Sequence, residues 1–235
     1  MLTIDYKRLD IQSGDRILDI GCGPGRHVCG ACAAYHATVI GADLKRADLR
    51  EARTHLWLHE QYGGKLRGQW ALCLSDITAL PFSDAHFDHV ICAEVMEHIP
   101  AELPATRELV RVLKPGGNLA VSVPRYMPEK ICWWLSRQYA NSEGGHIRIY
   151  KKSRIIGLFE NRGLTKQGDH YAHSLHTPYW WLKCLFGPDN DTAAPVCAYH
   201  RFLTWDIMKK PALTRFMDRL FNPVFGKSLV LYFRK

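Results

Sequence analysis

The sequence lacks the patterns that would take it out of water. Its first residues show no basic stretch followed by an apolar run, which excludes a secretory leader from the expectation. Its uninterrupted apolar stretches are too short to span a bilayer. There is no internal repeat and no low-complexity tract, which sets aside solenoids, collagen and coiled coils. A cytoplasmic protein is expected, with its eight cysteines held as reduced thiols. One CxxC spacing, Cys29 to Cys32, stands without a second, so it is half of a zinc site at most and reads as a buried helix face.

What is present is ordinary globular composition, 47% hydrophobic and 23% charged over 235 residues, with a net charge of +8. Short apolar runs alternate with helical stretches. Strands are expected at 16–21, 38–43, 70–75, 87–93, 118–123, 163–172 and 228–233, and helices at 26–35, 45–62, 102–113 and 153–161, the last with Ser153 as N-cap. Residues 114–117, Lys-Pro-Gly-Gly, read as the turn that stops the third helix. Strands that are apolar almost throughout, separated by helices, predict an α/β fold with a doubly wound, mostly parallel sheet. Ligands of such sheets bind beyond the carboxyl ends of the strands, and Gly21, Asp43, Asp76 and Ala93 all fall there. Two stretches, about 125–150 and 173–227, are aromatic and without clear period. They read as insertions capping one domain of residues 1–235.

Gly21-x-Gly23-x-Gly25 lies between a strand and a helix, where glycine lets a ligand approach the backbone. Alone it marks only a nucleotide-like crevice. Asp19 precedes it by two residues and suits an ammonium group. Asp43 ends the second strand and suits a pair of ribose hydroxyls. Asp76 and Ile77 follow the third strand and suit an adenine amino group and ring.

The succession Leu18–Gly25, Gly41–Asp43, Ser75–Ile77, Phe87–Ile91 and Leu113–Gly117 resembles the ordered motifs of class I S-adenosylmethionine-dependent methyltransferases of the type 11 group. The resemblance covers about residues 5–172 and 228 onward. It implies a Rossmann-like, seven-stranded sheet with an antiparallel last strand. It also implies that S-adenosylmethionine is held by Asp19, Gly21, Cys22, Gly23, Gly25, Asp43, Leu44, Asp76, Ile77 and Ala93, with Tyr6 and Arg8 closing over it.

For the methyl acceptor the sequence offers imidazoles and aromatics. Glu94, Glu97 and His98 would share one face of a helix, where they can bind a divalent ion or supply a base. The segment resembles the Glu-Val-x-Glu-His of ubiquinone-pathway O-methyltransferases, which implies magnesium there. His146 is the first candidate for general base and His98 the second. Tyr150, His170, His173 and Trp180 are expected to line the acceptor pocket, although on a strand His170 and His173 point to opposite faces.

The reading is methyl transfer to a small-molecule acceptor, lipophilic and through oxygen. C-methylation, RNA methylation and a non-catalytic S-adenosylmethionine-binding role remain open. Against RNA, the fourth strand runs into Cys92–Met96, not into an Asn/Asp-Pro-Pro-aromatic motif, and no RNA-binding module is appended. Residues 173–235 hold nine Lys/Arg against four Asp/Glu among many aromatics, which suits peripheral contact with an anionic membrane as well as a self-packed cap.

Overall fold

A computed structural model describes residues 2–235. In chain order its elements are β1 (Arg16–Ile20), α1 (Arg26–Ala34), β2 (Thr38–Asp43), α2 (Arg46–Tyr62), β3 (Gln69–Leu74), β4 (Phe87–Ala93), α3 (Glu102–Val112), β5 (Leu113–Pro124), α4 (Tyr126–Leu135), α5 (Arg137–Ala140), α6 (Lys152–Glu160), β6 (Thr165–Ala172), α7 (His176–Phe186), α8 (Ala194–Lys209), α9 (Ala212–Phe225) and β7 (Ser228–Arg234). The strands form one sheet in the order β3-β2-β1-β4-β5-β7-β6. β7 alone runs antiparallel to its neighbours, β5 and β6.

Side chains of a strand alternate between faces, and here both faces are buried. Leu18, Ile20, Val90 and Cys92 pack on one side with Leu109 of α3 and Phe159 of α6. Ile17, Val39 and Ile91 pack on the other with Val28 of α1, Leu56 of α2 and the N-terminal Tyr6 and Leu9. This is why the strands read as continuous apolar runs. The doubly wound, mostly parallel seven-stranded sheet that the motifs implied is present.

Three local expectations need correction. The stretches expected to be irregular are largely helical, as α4, α5, α7, α8 and α9. Pro128 lies in the first turn of α4, where no N–H is needed, so it does not forbid a helix. α9 does carry a helical period, Leu213, Met217, Leu220 and Val224, but it faces outward and is interrupted by Pro223. Ser153 is not the cap of α6. The helix starts at Lys152 and Lys151 occupies the cap position without a side-chain bond. Lys114–Gly117 is the irregular start of β5 and not a free turn: Gly116 N donates to the carbonyl of Lys235 and Lys235 N to that of Gly117.

Helices α4, α7 and α9 all adjoin the ends of β5, β6 and β7 on one edge of the sheet. α4 packs on α7 and α7 on α8. The helical layer therefore stands on the edge where β1, β2 and β4 end.

Candidate active site

At that edge lies a cleft of about 420 Å³, within the range of roughly 300–1,000 Å³ usual for small-molecule sites. The β1–α1 loop supplies Gly21 and Gly23, the end of β2 supplies Asp43 and Leu44, and the turn after β3 supplies Asp76 and Ile77. Glu94, Val95 and His98 close it from beyond β4. Gly21 has φ +68°, and a Cβ there would meet Val95 Cγ2 at 2.3 Å. Gly23 has φ +50° with nothing within 4 Å of a Cβ, so its bare backbone faces the open cleft.

Asp43 is fixed from both sides. Its Oδ2 accepts from Gly23 N at 2.9 Å and its Oδ1 from Lys45 N at 2.8 Å. Each oxygen keeps a further lone pair, which suits a ribose diol. Asp76 Oδ1 accepts from the backbone N and the hydroxyl of Thr78, both at 2.8 Å, which holds the carboxylate still beside the buried Ile77. Beneath the loop, Asp19 is buried and its Oδ2 has no hydrogen-bond partner. Burial pushes its carboxyl up to about 7, opposed by Arg26 and assisted by the charge of Asp43. The orphaned oxygen, the diol acceptor and the bare glycine fit the ammonium end and ribose of S-adenosylmethionine.

Asp19, Cys22, Gly25 and Ala93 do not line the open cleft themselves: Asp19, Cys22 and Ala93 are buried around it, and Gly25 caps α1 against Ala52. Tyr6 does not cover the cleft, because its hydroxyl donates to the carbonyl of His27 on α1. Arg8 sits at the opposite edge of the sheet, in a second cavity with Asp88, Lys114 and Asn118. Cys32 is buried and Cys29 partly so on α1. The cleft wall also holds Lys45, Asp48 and Ile99, which carry no motif of their own, and Ser75, which opens the Ser75–Ile77 motif but was given no role.

On the acceptor side the expected helix over Glu94, Glu97 and His98 is absent. Glu94 has φ +58°, and only Met96–His98 form a 3-10 turn. Glu94 Oε1 instead accepts from Ser122 Oγ at 2.8 Å. Among the described residues, the group with metal-ligand proximity is Glu97, His98 and His146, whose ligand atoms lie within 4.8 Å of one another. One carboxylate with two imidazoles is not the oxygen-rich set that magnesium wants. Glu97 is fully buried with both oxygens unpartnered, and burial, with Glu94 adding to it, raises its carboxyl well above the usual range.

The two imidazoles are held alike. His98 Nδ1 lies 3.0 Å from the carbonyl of Gly145. A carbonyl only accepts, so Nδ1 carries the proton and a neutral His98 has a bare Nε2. Burial, with His146 adding to it, lowers the pKa of His98 despite that carbonyl. His146 Nδ1 donates to Glu129 Oε1 at 2.6 Å. The two rings are 5.0 Å apart, and Tyr139 and Trp180 continue the aromatic row at 6.3 and 5.9 Å. Glu129 was missed because its partner is 17 residues away in a stretch without period.

Trp180 thus ends the row of rings that starts at His98 in the cleft wall, while three other expected acceptor contacts lie outside that row. Tyr150 is a core residue, its hydroxyl donating to Glu102 Oε2 at 2.8 Å. His170 stacks on Tyr232 at 5.7 Å. His173, at φ +67° just past β6, bonds Thr3 at 3.1 Å.

Residues 18–121 match the type 11 methyltransferase domain family. The chain is 36% identical over 117 residues to methyltransferase GfsG of Streptomyces halstedii, covering 50% of this chain and 40% of that protein. It is 34% identical over 133 residues to the ubiquinone biosynthesis O-methyltransferase of Alkalilimnicola ehrlichii, covering 54% of this chain and 50% of the relative. It therefore spans half or less of the length of these relatives. A candidate methyltransferase of known structure from Bacillus halodurans superposes with a TM-score of 0.64 at 21% identity, covering 98% of this chain and 96% of that one, which is a likeness of fold. Residues 18–121 thus match the type 11 methyltransferase domain, and the strand order is that of a Rossmann-like methyltransferase sheet.

Proposed function

We propose that the chain works as a single domain that methylates an oxygen of a small, lipophilic acceptor, with His98 as the general base. The observation that carries this reading is the imidazole of His98 in the cleft wall, its Nδ1 committed to Gly145 and its Nε2 3.9 Å from Glu97 Oε1, too far for a hydrogen bond. A hydroxyl nucleophile has to lose a proton as it attacks, and a neutral imidazole suits that near pH 7. His146, held by Glu129, lies beside it and is the second candidate. The Tyr139–Trp180 row supports an acceptor with an apolar body. The likeness to the A. ehrlichii O-methyltransferase supports oxygen as the target.

Bound S-adenosylmethionine supplies a methyl group already activated on a sulfonium. What remains for the chain is to hold, align and deprotonate. Asp43 receives the ribose hydroxyls, Asp19 the ammonium end, and Asp76 with Ile77 the adenine. His98 Nε2 takes the acceptor proton and returns it to water through the open cleft.

The test is a panel of phenols and alcohols assayed for methyl transfer, alongside calorimetric binding of S-adenosylhomocysteine. His98→Asn should bind S-adenosylhomocysteine like the parent and transfer about 10²–10⁴-fold more slowly. Unchanged transfer overturns His98 as base, and a product methylated on carbon overturns the oxygen reading.

A further inference from the structure

α9 is mounted inside out. A surface helix ordinarily buries its apolar stripe and shows water its polar face. Here the inward side is polar. Thr214 is buried, Asp218 Oδ1 accepts from Ser174 Oγ at 2.8 Å and from Leu175 N at 3.2 Å, and Asn222 Oδ1 accepts from Ser174 N at 2.9 Å. Arg215 pairs with Asp206 of α8. The outward side is Leu213, Phe216, Leu220 and Val224, exposed by 69, 62, 57 and 60%. These positions recur at helical spacing, so they form one stripe along about 16 Å of helix. The hydrogen bonds fix this orientation, because turning the helix over would break all of them.

We propose that this stripe lies on an anionic lipid surface. Residues 194–235 contain eight Lys/Arg and two Asp/Glu. The two acids, Asp206 and Asp218, are both turned inward, whereas Lys209, Lys210 and Arg219 are exposed around the stripe. An apolar stripe flanked by cations, with no exposed acid on α8 or α9, is complementary to headgroup phosphates above acyl chains. A second copy of the chain fits less well, because a two-fold contact here would bring like charges together.

The helix also sits where such a surface would matter. Arg125, which follows β5, donates to the carbonyl of Asn222, and Thr177 donates to that of Phe225. The C-terminal end of α9 is thereby tied to the sheet edge that carries the cleft. A lipophilic acceptor dissolved in the surface would enter from this side. Only that consequence rests on the proposed methyl transfer; lipid contact stands without it.

The experiment is co-sedimentation of the full chain with phosphatidylcholine vesicles, with and without phosphatidylglycerol. The chain should pellet with the anionic vesicles only and be released by salt. Arg219→Glu should weaken binding about fivefold or more. The double variant Phe216→Asp, Leu220→Asp should lose it, while keeping the parent's thermal midpoint and its binding of S-adenosylhomocysteine. Absence of pelleting with either vesicle, or undiminished pelleting of the double variant, overturns the proposal. So does a concentration-dependent dimer that the double variant abolishes in a chain that ignores vesicles.

Discussion

Glu129 and His146 form one unit across the helical layer: Glu129 Oε1 accepts from His146 Nδ1 at 2.6 Å, and the carboxylate is only 2% exposed. Burial alone would raise the Glu129 carboxyl, but the hydrogen bond and charge of His146, with help from Lys227, hold it below the usual range.

We therefore expect the parent to lose stability in acid that Glu129→Gln does not, read by denaturant unfolding of both proteins across pH. A depressed folded-state pKa gives a contribution present above the unfolded value and lost as pH falls through the folded one. Equal acid sensitivity of the two proteins would show that the pair is contact without coupling.

Asp19 should behave in the opposite sense. Its folded pKa of about 7 stands above the unfolded value, so the folded state holds the extra proton between about pH 4 and 7 and stability declines as pH rises through that window. Asp19→Asn should remove this decline and be more stable at pH 8, by up to about 4 kcal/mol, in denaturant unfolding. The same variant should bind S-adenosylhomocysteine more weakly, because the ammonium loses its carboxylate. A variant that is less stable at pH 8, or that binds as tightly as the parent, removes Asp19 from this role.

Gly21→Ala should misplace the cleft wall, since its Cβ would fall 2.3 Å from Val95 Cγ2 at a φ of +68°. We expect a loss of about 1–3 kcal/mol of stability with weakened cofactor binding. Pairing it with Val95→Ala should restore part of both, because the clash goes while the backbone strain stays. An uncoupled double variant would place the cost entirely in the backbone.

The contrast between the two ends of the molecule shows what sequence reading resolves. Gly21, Asp43 and Asp76 were legible because strand ends bring them together by topology, whatever their side chains do. The acceptor side was not. Glu94, Glu97 and His98 have helical spacing, but Glu94 leaves the helical region to reach Ser122, which spacing cannot announce. Tyr150 looked like a pocket residue and is a core pin on Glu102, while Glu129 looked like nothing and anchors an imidazole. α9 was hidden for another reason. Its stripe has the expected period, but a period tells which residues share a face and not which face turns inward.

The position of β7 has a consequence for how the chain comes to exist. Residues 228–234 lie between β5 and β6, so the sheet has a slot that its own last strand must fill. While the ribosome is still making α7, α8 and α9, β6 has nothing to pair with, and β5 presents an open edge. Both are sticky until Ser228–Arg234 slide in and are paired from two sides at once. The strand that fills the slot is thus made after the whole helical cap, and the sheet cannot close until α7, α8 and α9 have been made.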